Sequence, residues 1–388
     1  MIEITARLIG GPAYIAGEVV ECCITFTHPQ DPSHKKSHSN SDVLETLAWA
    51  SAQIHCQCTT NNKVIIGKNS PESIDTATNT GTSKCLITSI AVNQHLICCR
   101  KPKILFCDLR LAKGESKSYL YKETLPSEAP PSYRGQAVKY SYKITIGTQR
   151  VNSPIKLLRV PIRVLVISGI SDSSACGDSE DLAPTNPFLE TQQRDTPLEI
   201  ALQTLQNITA RRSPNFYNIT NVHGKVVRFC LFKQAYKLGE DIVGTFDFTD
   251  ATIPCVQCSV TLQSEEEIQP EHKRFSKQGP AIVSYNKHHE MCLSWKYSQL
   301  ILPIPLHITP AFSTDLVSLQ WRLHFEFVTS QTTQTQQEAN DKEDKSWQGP
   351  PVLNIETMVW NLPIKILPTT PQHVSQGLQA QSKYTTVI

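Results

Sequence analysis

Charge is scarce in this sequence. Asp, Glu, Lys and Arg make up 19% of its 388 residues, and the formal net charge is +2. A chain this close to neutral lacks the basic footprint that nucleic acid requires, so no nucleic-acid partner is expected. Glycine is outnumbered by proline, 16 to 25, which suits a strand-rich chain with many stops. Long apolar runs are missing. Val164-Leu165-Val166-Ile167 is among the longest, far short of the roughly 18 residues of a membrane-spanning helix. Met1-Ile2-Glu3-Ile4-Thr5-Ala6-Arg7 has no basic stretch leading into an apolar one, so no signal peptide is expected. Any membrane contact is therefore expected to be peripheral. Hydrophobic residues, at 39%, fall below the globular average, so part of the chain should lie outside any core.

Catalytic signatures are missing too. There is no G-x-x-x-x-G-K-[ST] phosphate loop and no H-E-x-x-H. Gly114-Glu115-Ser116-Lys117-Ser118 is not the G-x-S-x-G elbow, and no strand-to-helix turn surrounds it. No catalytic residue, cofactor or metal site is expected. Cysteine, by contrast, is plentiful at 13. The odd number without a secretory signal favours reduced thiols that act as small core hydrophobes. Cys255-Val256-Gln257-Cys258 is a lone C-x-x-C in a strand-like run, where residues three apart face opposite ways. His28, His34 and His38 read as a solvated loop, as does His288-His289-Glu290. Glu265-Glu266-Glu267 with His272-Lys273-Arg274 reads as a solvated hairpin. Asn207-Ile208-Thr209 and Asn218-Ile219-Thr220 would be glycosylation sites only in a secreted chain.

What is present is period two. Tyr140, Tyr142, Ile144 and Ile146 alternate with polar residues, and so do Trp321, Leu323, Phe325 and Phe327. Ala50, Ala52, Ile54, Cys56 and Cys58 share one parity, as do Val227, Phe229 and Leu231. One buried and one wet face is the mark of antiparallel sheets packed face to face, which makes the fold class all-β. Polar segments interrupt the pattern at 28–42, 67–84 and 331–346, and their composition reads as disordered loops. The largest break is an acidic linker, residues 168–215. Its second part places Leu198, Ala201, Leu202, Leu205 and Ile208 at helical spacing over about 197–210, with Thr196 as cap and Pro197 in the first turn. The same linker holds Asn186-Pro187-Phe188, a tripeptide resembling ligands of EH-type endocytic adaptors. The C-terminal Thr386-Val387-Ile388 resembles a PDZ ligand, and the tail 369–388 reads as disordered.

The two sides of the linker echo one another. Tyr14-x-x-Gly17-Glu18 recurs as Tyr236-x-x-Gly239-Glu240, and Pro131-Ser132-Tyr133 as Pro310-Ala311-Phe312. Tyr142-Lys143-Ile144-Thr145-Ile146 recurs as Trp321-Arg322-Leu323-His324-Phe325. Val160-Pro161-Ile162-Arg163-Val164-Leu165 recurs as Leu362-Pro363-Ile364-Lys365-Ile366-Leu367. The order is preserved, which indicates a duplicated β domain. Glycine at 17 and 239 suits equivalent tight turns. The expected units are 1–167 and 216–368.

Two such tandem sandwiches resemble the arrestin fold, with Leu125-Pro126 and Pro130-Pro131-Ser132-Tyr133-Arg134-Gly135 similar to a segment common there. The closer resemblance is to the Rgp family of Golgi trafficking proteins. It is carried by Leu47-Ala48-Trp49-Ala50-Ser51-Ala52-Gln53-Ile54-His55-Cys56-Gln57 and Pro102-Lys103-Ile104-Leu105-Phe106-Cys107-Asp108-Leu109-Arg110-Leu111. Gly114-Glu115-Ser116-Lys117-Ser118-Tyr119, Gln149-Arg150-Val151-Asn152-Ser153-Pro154 and the run Trp321 to Ser330 add to it. The resemblance implies a non-catalytic subunit of a heterodimeric guanine nucleotide exchange factor. Its partner would be a larger Ric-type subunit and its target a Golgi Rab GTPase of the Rab-six class. It implies retrograde transport to and within the Golgi, from the cytosol and the Golgi membrane as a peripheral protein. An arrestin-like cargo adaptor, reading membrane proteins into coat or sorting machinery, is the alternative. The linker helix, through Leu198, Leu202 and Leu205, and Asn186-Pro187-Phe188 are the partner-contact candidates.

Overall fold

Strands supply nearly all the regular structure in the computed structural model, which describes residues 1–30, 44–65, 94–167, 197–330, 354–379 and 381–387. The first half carries β1 (Glu3–Leu8), β2 (Ala13–Ile15), β3 (Val19–Thr27), β4 (Glu45–Thr60) and β5 (Gln94–Cys99). It continues with β6 (Lys103–Leu111), β7 (Ser116–Thr124), β8 (Tyr133–Arg134), β9 (Val138–Gln149) and β10 (Lys156–Leu165). Helix α1 (Pro197–Ala210) leads to the second half: β11 (Asn215–Asn221), β12 (Gly224–Leu231), β13 (Ala235–Lys237), β14 (Asp241–Asp247) and β15 (Cys255–Ile268). Then come β16 (Ala281–Met291), β17 (Tyr297–Pro303), β18 (Phe312–Ser313), β19 (Val317–Ser330) and β20 (Ile355–Leu367). The chain ends with α2 (Pro371–Gly377) and β21 (Lys383–Val387). Neither helix is long and apolar enough to cross a membrane.

Each half folds into two sheets. The first has β21-β1-β3-β7 facing β2-β10-β9-β4-β5, with β6 on β4 and β8 on β9. The second has β11-β12-β14-β17 facing β13-β20-β19-β15-β16, with β18 on β19. Between the first pair, Phe26 of β3 meets Phe106 of β6 edge-on at 5.0 Å, and the Ile54 N–H donates to Tyr121 Oη across the sheets at 3.0 Å. Between the second pair, Phe229 and Phe246 pack on Phe325, and Phe229 also meets Trp360. Burying each such ring stabilises by about 1.5–3 kcal/mol, with ring–ring geometry adding to it. The protein is all-β, as its alternation implies.

The repeat holds down to single hydrogen bonds. β2 runs parallel to β10 with Tyr14 opposite Val164, and β13 runs parallel to β20 with Tyr236 opposite Ile366. Gly17 and Gly239 close the turns that follow, with φ of 92° and 81°, a region that favours glycine. The neighbouring carboxylates do the same work in both turns: Ile15 N–H donates to Glu18, and Lys237 N–H to Glu240. The Tyr142 hydroxyl donates to the Pro130 carbonyl, and the Trp321 indole N–H to the Thr309 carbonyl. Ser132 N–H donates to Val164 O, and Ala311 N–H to Ile366 O.

The tail departs from expectation. Residues 369–388 read as disordered, yet 371–377 form α2 and 383–387 form β21, antiparallel to β1 with Ile4 opposite Thr386 and Arg7 opposite Lys383. The tail is too polar to build a core of its own. Instead Val374 anchors it in the existing core, and the open edge of β1 accepts its backbone groups. The segments 67–84 and 331–346, and most of 28–42, lie outside the described residues. His28 itself is buried, with Nδ1 3.4 Å from the Leu111 carbonyl, because the end of β3 folds against β6.

Candidate interaction surfaces

The halves meet through their repeated turns. Tyr133 packs edge-on against Phe312 at 5.0 Å, the equivalent residue of the other half. The Thr309 hydroxyl donates to the Ser132 carbonyl at 3.2 Å, and the Tyr140 and Thr314 hydroxyls lie 3.1 Å apart. The Arg163 guanidinium donates to the Ile308 carbonyl at 2.7 Å. At the centre sits Glu266. It is 3% exposed and accepts the backbone N–H groups of Gln136 at 2.7 Å and Ala137 at 3.2 Å. Burial and the Glu266 carboxylate push the Tyr133 phenol above its ordinary range.

This corrects the expected solvated hairpin at 265–274. Lys273 donates to Glu267, Arg274 reaches the Asn62 carbonyl, and Ile65 bridges Lys273 across the junction. The parity of Cys258, Val260 and Leu262 carries Ser264, Glu266 and Ile268 onto the buried face. That signal was present in the sequence, and a run of three glutamates obscured it. His288, His289 and Glu290 likewise belong to edge strand β16 rather than to a loop.

Helix α1 covers 197–210 as its spacing implies, but its buried stripe is rotated. Leu205 and Thr209 are buried, Leu202 packs on the core, and Ile208 is 46% exposed. The Thr209 hydroxyl returns a hydrogen bond to the Leu205 carbonyl, which lets a polar residue take the position expected for Ile208. Lys233 then caps the helix end. Its ammonium donates to the Thr209 carbonyl at 3.2 Å and to Glu240 at 2.7 Å, a cation where the helix dipole favours one. A groove of about 550 Å³ lies beside this cap, lined by Arg212, Lys237 and Asp241 among others. Leu198 belongs to α1 by its backbone. Asn186, Pro187 and Phe188 lie outside the described residues, as does Ile388 of the C-terminal tripeptide. Thr386 and Val387 are already paired with β1, opposite Ile4 and Glu3.

A second groove, about 490 Å³, opens on the outer face of β11-β12-β14-β17. Phe216 and Tyr297, both largely exposed, flank it, and the Arg228 guanidinium stacks 4.6 Å over the Phe216 ring.

Cys255 and Cys258 do not face opposite ways. A bulge between Cys255 and Gln257 resets the register, so both thiols are buried and meet Cys292, whose Sγ lies 3.3 Å from Cys255 Sγ. The hydrogen bond to Cys292 and burial push the Cys258 thiol up, and the hydrogen bond to Cys255 does the same for Cys292. Metal ligation needs thiolates, which this environment disfavours. Among the described residues no group of three His, Cys, Asp or Glu side chains is placed to hold a metal ion.

Comparison with known proteins gives these surfaces a context. The Rgp1 family model matches residues 32–176 and 171–330. The chain is 45% identical over 399 aligned residues to RAB6A-GEF complex partner protein 2 of Homo sapiens, covering 100% of each. It is 46% identical over 376 residues to the Bos taurus protein of the same name, covering 94% of this chain and 93% of the relative. Agreement of this kind spans both halves and the tail, and the chain belongs to the Rgp1 family.

Proposed function

We propose that this chain is the non-catalytic scaffold subunit of a heterodimeric guanine nucleotide exchange factor for a Golgi Rab GTPase of the Rab-six class. The carrying observation is its full-length similarity to a protein named as a RAB6A-GEF complex partner. Its counterpart is a larger Ric-type subunit, and its place is the cytosol and the Golgi membrane as a peripheral protein, in retrograde transport. Exchange requires no acid–base chemistry. A factor accelerates release by binding the nucleotide-free GTPase more tightly than the loaded one. The terminal strands β5, β7, β16 and β17 of the described sheets and the two grooves offer surface for partners without any reactive group.

The test is release of fluorescent GDP from the GTPase with each subunit alone and with both. Near-basal release with this chain alone and strong acceleration with the pair are expected. Full activity from this chain alone would sink the reading. Capture of coat or receptor tails instead of one large subunit would favour the adaptor.

A further inference from the structure

The duplicated sheets differ in how they treat one equivalent cation. In the second half, Arg322 of β19 lies opposite Gln263 on one side and Pro363 on the other. Its guanidinium donates twice to Gln263 Oε1, at 2.9 and 3.0 Å, and pairs with the Glu265 carboxylate. Lys287 on the same face reaches Glu326 at 3.2 Å. In the first half the equivalent residue is Lys143 of β9, opposite His55 on one side and Pro161 on the other. Here no described carboxylate answers it. Among the described residues, Lys139, Lys143 and Arg159 form no ion pair.

Among the described residues, the charges that shift His55 and Lys143 are all positive. Burial first, then Lys143 and Arg159, lower the His55 pKa to about 4. Burial, Arg159 and Lys139 lower that of Lys143. On the same face, His55 Nδ1 and Thr145 Oγ1 are buried without a hydrogen-bond partner among the described residues. His55 is 5% exposed and Thr145 2%, and Thr145 sits opposite Arg159 in register. A buried polar atom left unpaired costs about 1–3 kcal/mol, so two of them, opposite in register to two cations without an ion pair among the described residues, need a physical reason.

We propose that this face, with Lys143 and Arg159 over His55 and Thr145, binds a compact phosphate-bearing anion. The residues lie on three neighbouring strands, β10, β9 and β4, and so within roughly 10 Å across the sheet. That width matches one phosphorylated headgroup. An Arg fork matches phosphate oxygens bidentately, a Lys ammonium adds a point charge, and hydroxyl and imidazole supply further donors. A free inositol polyphosphate and a phosphoinositide headgroup share this chemistry. The site is independent of the exchange role.

Calorimetric titration of the full-length chain with inositol hexakisphosphate at ~0.15 M salt tests it. Saturable binding is expected, weakened about tenfold or more by Lys143→Ala/Arg159→Ala. The control Lys113→Ala/Lys117→Ala removes the same charge from the β6–β7 turn and the start of β7 and should leave the affinity unchanged. Thermal unfolding of each variant confirms folding, and Thr145→Val, which keeps the shape, should weaken binding severalfold. Phosphatidylcholine vesicles with and without phosphatidylinositol 4-phosphate separate the sources. Retention on the phosphorylated lipid, released by the soluble compound, identifies a headgroup site, and binding of the soluble compound alone identifies a free ligand. Absent binding, equal loss in the control variant, or equal affinity for a polyglutamate peptide overturns the proposal.

Discussion

Removing the Glu266 side chain strands two backbone N–H groups, those of Gln136 and Ala137, at the centre of the junction. Glu266→Ala should therefore lower stability by about 2 kcal/mol or more in urea unfolding, and Glu266→Gln by less, since its amide oxygen still accepts. Gly135 makes the complementary point. A Cβ there would collide with Glu266 Oε1 and the Tyr133 hydroxyl, so Gly135→Ala should cost ~1–3 kcal/mol through overpacking. His55 adds a pH dependence. Folded, its imidazole titrates near 4; unfolded, it returns to its ordinary 6.5. Between these values the unfolded chain holds the extra proton. Stability from this residue is present above pH 6.5 and is lost as pH falls toward 4, at no more than ~1.4 kcal/mol per pH unit. Unfolding of wild type and His55→Gln across that window should show the wild type losing the larger share.

The linker helix and the tail show what a pattern can and cannot report. The spacing in α1 was legible because helical period is a local property. Its rotation was not, because only the fold reveals that Thr209 satisfies its hydroxyl on its own helix and goes inside. Leu205→Asp should accordingly cost several kcal/mol in stability, the cost of burying an unpaired charge, and Ile208→Asp only about 1, from the anion it places in the last turn of the helix. If a partner reads the outer face of α1, Ile208→Asp should weaken the complex in pull-down while leaving folding intact. The β pattern was legible for the same local reason, and so was the duplication. What escaped was anything decided by distant neighbours: the bulge that turns Cys255 inward, the Glu266 latch, and a polar tail made into a strand by an edge over 370 residues away in sequence. Removing residues 381–388 should speed amide hydrogen exchange in β1, whose partner on that side is lost.

At the scale of the molecule, the described residues join the halves at the junction of repeated turns and again through the tail, where α2 packs on β2 and β21 leaves the second half to complete a sheet of the first. A protease site placed at residues 180–181 tests this. After cleavage, the two pieces should co-elute in size-exclusion chromatography, and separation without denaturant would show that the covalent link holds them together. The placement of β21 also has a mechanical consequence. Glu3 faces Val387, so the two ends of the chain leave the molecule side by side and antiparallel. Tension applied between them would open β1 from β21 like a zipper, a few hydrogen bonds at a time, before either sandwich bore load. Linkers or tethers attached at the two termini would emerge from one point and pull on the same seam.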